Sequence, residues 1–236
     1  MIVRPERDSL LLITQPEHAA LSGRIMAAWQ TDGLRGHVRR QTILLATREH
    51  DIGWQPVDRR PTIDTVTGHP HHFLAAPDAT KRGIWPRGVA QLKPRNPAAA
   101  ALVAQHALTV LDRQPSVAWQ HFFSVMEAER DRIVSAGAFD GSHDALLTDY
   151  RFVLLGDFLS LVFCCAWRQT FHRVGYDTTL HTDRLVVQPD PFGGRELKLA
   201  ATARRIPARR YASDDDLRYT FDRAPLVVIR GHASGP

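Results

Sequence analysis

The longest apolar run of the chain, Phe152 to Trp167, constrains the fold most because it carries a single charge, at Asp157. The run is shorter than the ~20 residues that span a bilayer, so it predicts a buried core helix. We expect this helix to cover about residues 144–171. Burying an unpaired carboxylate costs several kcal/mol, so Asp157 requires a cation, a positively charged side chain or several hydrogen-bond donors. A structural ion pair or a hydrogen-bonded core aspartate is the alternative.

Two earlier predicted helices each place a histidine on the apolar side. A short strand at residues 9–14 precedes a helix over about residues 16–30, in which His18 lies in register with the apolar positions. His50 faces inward on the next helix, and Asp51 follows about a quarter-turn away. For His18 alone, a core histidine satisfied by one hydrogen bond is the default interpretation.

Two further helices carry polar candidates. In the helix predicted over residues 97–111, His106 shares the apolar face and points inward. The helix predicted over residues 116–136 places Glu127 one turn before Arg130. These two side chains form either a surface ion pair or a buried brace for a site.

Residues 55–97 are rich in proline and predict a long connection, which in a compact domain is usually functional or poorly ordered. The segment contains Asp58 and Lys81. It also contains a His-Pro-His-His cluster at residues 69–72. Ligands on a flexible loop are weakly specified, so an exposed turn is favoured over a metal site there.

The bulk composition restricts the class of protein. The 236 residues have a net charge of +5, but the basicity is diffuse, and its densest part, residues 204–210, lacks the interleaved aromatic residues of a nucleic-acid groove. The adjacent Cys164 and Cys165 cannot bridge to each other, and the N-terminal residues do not resemble a secretory signal. We therefore expect a cytoplasmic protein with no membrane association and a small-molecule partner rather than a nucleic acid; an oligomer is possible.

Short strand candidates separated by turn residues follow the helical part of the chain. They predict a helical domain at residues 1–175 and a β-rich C-terminal extension at residues 176–236 that packs on it. The strand at residues 9–14 is a candidate to join the sheet of that extension. The predicted fold class is a mainly α core with a small antiparallel β appendage, α+β overall.

Three separate helices thus supply His18, the His50-Asp51 pair and Asp157, all predicted to face inward. Mixed nitrogen and oxygen ligands suit a divalent transition metal such as Mn²⁺, Fe²⁺, Co²⁺, Ni²⁺ or Zn²⁺. Imidazoles disfavour Mg²⁺ and Ca²⁺ as the preferred ion.

The order His18, His50-Asp51, Asp157 resembles that of the HD-domain metal-dependent phosphohydrolase superfamily, and His-Asp-Ile-Gly at residues 50–53 is similar to its helix-ending pattern. More closely, the chain resembles an uncharacterised bacterial family that looks like a distant branch of that superfamily. The resemblance covers most of residues 1–165 and includes Thr14-Gln15-x-x-His18-Ala19, His50-Asp51-x-x-Trp54-x-x-x-Asp58-x-x-Pro61, Phe73, Lys81-x-x-x-Trp85-x-x-Gly88, His106, Glu127-x-x-Arg130 and Asp157-x-Leu159-Ser160-Leu161.

The resemblance implies an HD-like helical core and a role for each motif residue. It implies a metal held by His18, His50, Asp51 and Asp157, with His106 as a fifth ligand or a proton donor to the leaving group. Catalytic roles fall to Asp51 and His106. The substrate-binding residues that it implies are Lys81 and Arg130 for phosphate, Trp54 for ring stacking, and Asp58.

The function predicted from the resemblance is hydrolysis of a small phosphorylated metabolite or nucleotide by a metal-activated water. Trp54 stands where many HD phosphohydrolases carry a polar residue, so their substrate preference does not transfer. Two alternatives stay open: a catalytically silent HD-like metal-binding or sensing protein, and oxygen chemistry at iron.

Overall fold

The computed structural model describes residues 1–111 and 116–236, which form eight α-helices and a seven-stranded sheet. The helices are α1 (Gln15–Ala27), α2 (Arg40–Glu49), α3 (Gln55–Asp58), α4 (Asp78–Leu92), α5 (Pro97–Val110), α6 (Val117–Ser135), α7 (His143–Cys164) and α8 (Asp214–Arg223). The strands are β1 (Ile2–Pro5), β2 (Ser9–Ile13), β3 (Phe171–Arg173), β4 (Tyr176–His181), β5 (Arg184–Gln188), β6 (Leu197–Pro207) and β7 (Leu226–Ser234).

The sheet joins the two ends of the chain in the order β1-β2-β6-β7-β5-β4-β3. Neighbouring strands are antiparallel except β5 and β7, which run parallel with Arg184 opposite His232. The N-terminal hairpin enters the sheet through β2, where Ser9 pairs with Pro207. The sheet is therefore mixed and draws on residues nearly 200 positions apart in sequence.

The prediction of a mainly α, HD-like core with a small antiparallel β appendage is wrong, because the protein has a mixed α/β fold with one large sheet. Leu11 and Ile13 of β2, together with Leu199 and Ala201 of β6, lie in the same hydrophobic core as the helices. The sheet is thus a full layer of the core. The pairing of β2 with β6 confirms that the strand predicted at residues 9–14 joins the C-terminal sheet. Local sequence patterns did not show the size of the sheet or the register of its strands.

A second, smaller core lies between the sheet and α8, a helix that the sequence pattern did not predict. Ser213 caps α8 by accepting a hydrogen bond from the Asp216 amide, and three aspartates occupy the first turn, where the helix dipole favours negative charge. The residues of this core are Met1, Leu10, Leu12, Ile206, Tyr211, Leu217 and Phe221.

Helix α1 is fixed at both its start and its side. The Thr14 hydroxyl accepts a hydrogen bond from the Glu17 amide at 3.2 Å, and Pro16 occupies the first turn, so the helix begins as predicted. The Glu17 carboxylate accepts from the Thr202 amide of β6 at 2.8 Å. This tie between helix and sheet sets the position of His18, one residue further on.

Helix α7 confirms the buried helix predicted from the apolar run, although it ends at Cys164 rather than near residue 171. The chain turns at Ala166, whose φ is +55°, and resumes as β3. Gly156 lets α7 approach α1 and α2 closely, because a Cβ there would lie 2.6 Å from Thr47 Cγ2 and 2.7 Å from Met26 Cγ. None of the helices in the described parts of the chain is both long and apolar enough to span a membrane.

The proline-rich segment at residues 55–97, predicted as a long connection, contains the fifteen-residue helix α4 with Pro86 inside it. Gly53 is the middle residue of the short 3-10 turn Ile52–Trp54 after α2. It packs directly on α4, since a Cβ at Gly53 would collide with the Ile84 carbonyl oxygen. This contact places α4 beside the end of α2, where His50 and Asp51 lie.

Candidate metal centre

Three buried side chains from three helices meet at one point. His18 projects from α1, His50 caps the C-terminal end of α2, and Asp157 lies on α7. One ligand atom from each lies within 4.8 Å of the other two. None of the histidines at residues 69–72 belongs to this grouping.

Asp51 joins the same cluster. Its Oδ2 lies 2.8 Å from His18 Nε2 and 3.6 Å from His50 Nε2. Asp157 Oδ1 lies 3.2 Å from His50 Nε2 and 3.8 Å from His18 Nε2. Two ligands bound at about 2.1 Å to one ion lie at most about 4.2 Å apart, so each of these four pairs could share an ion. The group whose ligand atoms all lie within 4.8 Å of one another consists of His18, His50 and Asp157, without Asp51.

Hydrogen bonds on the far side of each ring turn the Nε2 atoms of His18 and His50 toward the cluster. His50 Nδ1 donates to the Thr47 carbonyl at 2.8 Å. His18 Nδ1 lies 2.7 Å from the Ser160 hydroxyl, which itself donates to the Asp157 carbonyl at 3.0 Å. With its proton used there, Ser160 accepts from His18. Such outer partners fix the ring orientation of histidines that bind metals.

Two atoms of the cluster are buried without a hydrogen-bond partner, namely His50 Nε2 and Asp51 Oδ1. Buried polar atoms are satisfied in the large majority of cases, and an unpaired one costs about 1–3 kcal/mol. A cation bound by His50 would satisfy its Nε2, and a water coordinated to that cation would give Asp51 Oδ1 a donor. The residues present therefore fit a divalent transition metal.

Without a cation, the cluster holds a proton. Burial lowers the pKa of His50, but the Asp51 and Asp157 carboxylates outweigh it and raise the pKa to about 9. Burial likewise raises the pKa of Asp157, whereas the His50 imidazole, with Nε2 3.2 Å away, and the other neighbouring imidazoles bring it below the usual range. Positive charge is thus favoured at this point, and a metal ion would replace the proton.

His106 of α5 lies at the edge of the cluster. Its Nδ1 is 3.1 Å from the Tyr150 hydroxyl, and its Nε2 is 3.6 Å from Asp157 Oδ2, too far for a direct hydrogen bond. Burial lowers the pKa of His106 to about 4, so the imidazole is neutral at pH 7. Ligation or proton acceptance suits this state better than proton donation to a leaving group.

The cluster borders a cavity of about 620 Å³. Two of the residues predicted to bind a substrate, Trp54 and Lys81, line it together with Trp85 and His106. Lys81 Nζ donates to the Leu74 carbonyl at 2.8 Å. The structure therefore brings these side chains into one space with the candidate ligands.

Two predicted substrate residues lie elsewhere. Arg130 does not line the cavity; it donates to Gln105 at 2.9 Å and to Asp131 at 2.6 Å. Asp58 borders a separate cavity of about 30 Å³, where it accepts from the Gln15 amide and pairs with the Met1 amino group at 2.9 Å. Both side chains make contacts within the protein in place of the predicted contacts with a substrate.

Sequence reasoning missed Arg173, Tyr150 and the role of Ser160. Ser160 follows Asp157 by three residues, so helical spacing already placed it on the same side of α7. Arg173 lies just beyond the predicted end of that helix, on β3, and borders the cavity. No spacing signal links Arg173 to the ligands, because the sheet brings it there.

The fold and the site together define an α/β protein with a buried His-His-Asp centre beneath a small-molecule cavity. The chain belongs to the DUF3891 family, described as a protein of unknown function, whose model matches residues 1–208. That match contains all the residues of the cluster and ends one residue after β6, and it confirms the predicted membership of an uncharacterised family. No curated protein and no solved structure matches the chain. None of these comparisons links it to the HD-domain superfamily.

Proposed function

We propose that the protein is a metal-dependent hydrolase of phosphate esters, with a divalent transition metal held by His18, His50 and Asp157 and assisted by Asp51. The observation that supports it most is the pair of unsatisfied buried atoms, His50 Nε2 and Asp51 Oδ1, beside the Asp157 carboxylate. Two imidazoles with carboxylates suit Mn²⁺, Fe²⁺, Co²⁺, Ni²⁺ or Zn²⁺. Such a cation lowers the pKa of a coordinated water and stabilises negative charge on phosphate oxygens.

The side chains of the cavity supply the remaining parts of the reaction. Asp51 Oδ1 is free to accept the proton of an attacking water, and neutral His106 is a second proton acceptor. Lys81 and Arg173 line the same cavity and supply positive charge for a phosphate. Together these groups would orient the ester and receive protons close to the cluster.

The hydrolase proposal follows from the ligand set and the cavity. Kinship with the HD-domain superfamily, implied by the order His18, His50-Asp51, Asp157, stays a separate hypothesis. A shared ligand set on a different fold would be convergence, since the same chemistry recurs on unrelated folds.

The test combines metal analysis with an activity screen. Purified protein should contain or take up about one equivalent of Mn²⁺, Co²⁺, Ni²⁺ or Zn²⁺ and then hydrolyse at least one class of phosphomonoester, phosphodiester or nucleotide. His50→Gln should lose both properties, whereas His121→Gln, an exposed histidine on α6, should retain them. Protein that binds none of these cations, or a His50→Gln variant that is as active as wild type, would contradict the proposal.

A binding or sensing protein without turnover is the second candidate. The aromatic residues that border the cavity favour it, because ring stacking retains a ligand without any chemical step. Stoichiometric metal binding together with tight ligand binding and no turnover across the screen would support this second candidate over the hydrolase.

A further inference from the structure

Two cationic side chains border the cavity without an acidic partner. Lys81 bonds to the Leu74 carbonyl, and the Arg173 guanidinium lies over the Phe158 ring, 5.2 Å from its centroid. Within residues 1–111 and 116–236, no carboxylate oxygen lies within 4.0 Å of either cation. Arg95, by contrast, is an exposed arginine that pairs closely with a carboxylate. Lys81 and Arg173 are therefore available to an anion.

Arg173 shares the cavity with the candidate ligands. The lining of the cavity contains Arg173 together with His18, Asp51 and Asp157. Phe158, whose ring lies 5.2 Å from the Arg173 guanidinium, directly follows Asp157 on α7. An anionic group bound to Arg173 would thus lie in the same space as the metal centre.

The walls of the cavity are aromatic to an unusual degree for a space that ends in charged ligands. Trp167 and Phe171 are only half-buried, and their rings lie 5.8 Å apart in a tilted arrangement. Phe171 meets Phe158 edge to face at 5.3 Å. Ring faces of this kind stack on planar ligands and tolerate many ring types. The aromatic residues that line the cavity are Trp54, Phe73, Trp85, Trp119, Phe158, Trp167 and Phe171.

We propose that the ligand is a phosphate monoester carried by a planar aromatic or heterocyclic ring. Arg173 and Lys81 bind the phosphate, and the ring stacks among Phe158, Trp167 and Phe171. The cavity of about 620 Å³ has the size of a small-molecule site. This assignment rests on the proposed hydrolase function, which it deepens by naming the substrate class and by making Arg173 a specificity residue.

The experiment measures binding without turnover, so that it stands apart from the activity screen. The probes are benzylphosphonate and cyclohexylmethylphosphonate, which have similar size and the same charge but differ in ring planarity, and whose P–C bond resists hydrolysis. Isothermal titration is performed on the full chain as purified and again after addition of Mn²⁺. The variants are Arg173→Gln, Arg173→Lys and Trp167→Leu, with Arg168→Gln as the control, an exposed arginine outside the cavity.

Benzylphosphonate should bind about tenfold more tightly than its saturated analogue. Arg173→Gln should weaken it by about tenfold, Arg173→Lys should recover part of that loss, and Arg168→Gln should leave it unchanged. Trp167→Leu should reduce the preference for the aromatic ring. Equal affinity for the two probes, or unchanged affinity in Arg173→Gln, in both metal states would overturn the assignment.

The hydrolase function and the ligand class can be contradicted independently of each other. Ring-selective binding that depends on Arg173, in a protein that hydrolyses no phosphate ester, would overturn the hydrolase and leave the ligand class standing. Metal-dependent hydrolysis without any preference for the aromatic probe would overturn the ligand class alone.

Discussion

Helix α7 carries two buried aspartates about two turns apart, and their surroundings differ in a way that separates structure from function. Asp149 accepts from Arg39 Nε at 2.6 Å and lies 3.2 Å from His37 Nε2. Asp157 faces the imidazoles of the metal centre, and among the described residues no lysine or arginine nitrogen lies within 4.0 Å of it. The chain itself neutralises the first carboxylate, whereas the second depends on protons or a cation.

The same contrast extends to unpaired atoms. Around Asp149, the arginine also reaches the second carboxylate oxygen through Nη2 at 3.4 Å. Around Asp157, His50 Nε2 and Asp51 Oδ1 have no hydrogen-bond partner. A buried His-Asp contact is therefore weak evidence for a metal site by itself, and the unsatisfied atoms are what distinguish the two places.

The largest expected effect is on metal binding. Asp157→Asn removes the negative charge of one ligand while keeping its size, and we expect metal affinity to fall by about 1,000-fold or more. Asp149→Asn is the matched change on the same helix and should leave affinity within about threefold, because Asp149 faces Arg39 instead of the cluster. Titration calorimetry with Mn²⁺ or Zn²⁺ measures both; similar losses in the two variants would erase the distinction.

Asp149, which should matter little for metal binding, should instead matter for the stability of the fold. Asp149→Ala leaves the partly buried Arg39 guanidinium without its main partner, although Asp140 stays 3.2 Å away, so the free energy of unfolding should fall by about 2 kcal/mol. Urea denaturation of metal-free protein measures this value. Asp131→Ala, an exposed carboxylate paired with Arg130, serves as the control and should cost less than about 1 kcal/mol. An Asp149→Ala protein as stable as the control would contradict the structural role.

A substitution at Gly53 tests whether its contact with α4 holds in place the turn that follows His50 and Asp51. Gly53→Ala inserts a methyl group against the Ile84 carbonyl, and overpacking of this kind costs about 1–3 kcal/mol. Because Asp51 lies two residues earlier, metal affinity should fall as well. Gly83→Ala on α4, where a Cβ meets no atom within 4 Å, is the control and should be neutral or stabilising. Equal stability of the two variants would show that α4 does not pack tightly against Gly53.

The smallest effect is expected from loss of the hydrogen bond between His18 Nδ1 and the Ser160 hydroxyl. Ser160→Ala removes the acceptor of His18 Nδ1 and should weaken metal binding by about tenfold, the lower end of the range for such partners. Ser124→Ala on the exposed side of α6 should have no effect. Unchanged affinity in Ser160→Ala would mean that the hydroxyl does not set the orientation of the His18 ring.

The sequence predicted the parts of the site that depend on helical spacing. His18, His106 and Asp157 sit on apolar helix faces, and a period of 3.6 residues identifies such faces without knowledge of the fold. His50 followed the same rule, although α2 ends at Glu49 and His50 is its cap. Their buried positions therefore needed no information on tertiary structure.

The parts that were missed depend on tertiary structure. Helix α4 was hidden by Pro86 and by two glycines that interrupt its apolar pattern. The fold class was wrong because the sheet has seven strands and joins residues nearly 200 positions apart, and local patterns indicated that the strand at residues 9–14 joins it without encoding its extent. Arg173 reaches the cavity on β3, so its place follows from the sheet alone.

The most direct test of the central claim is a crystal structure of the protein grown with Mn²⁺ or Zn²⁺ and measured at the absorption edge of that metal. We predict one anomalous peak about 2.0–2.3 Å from His18 Nε2, His50 Nε2 and an Asp157 carboxylate oxygen. The Asp157→Asn crystal should lack this peak. A wild-type crystal without anomalous density there, in which His50 Nε2 is hydrogen-bonded to a protein group, would contradict the metal centre.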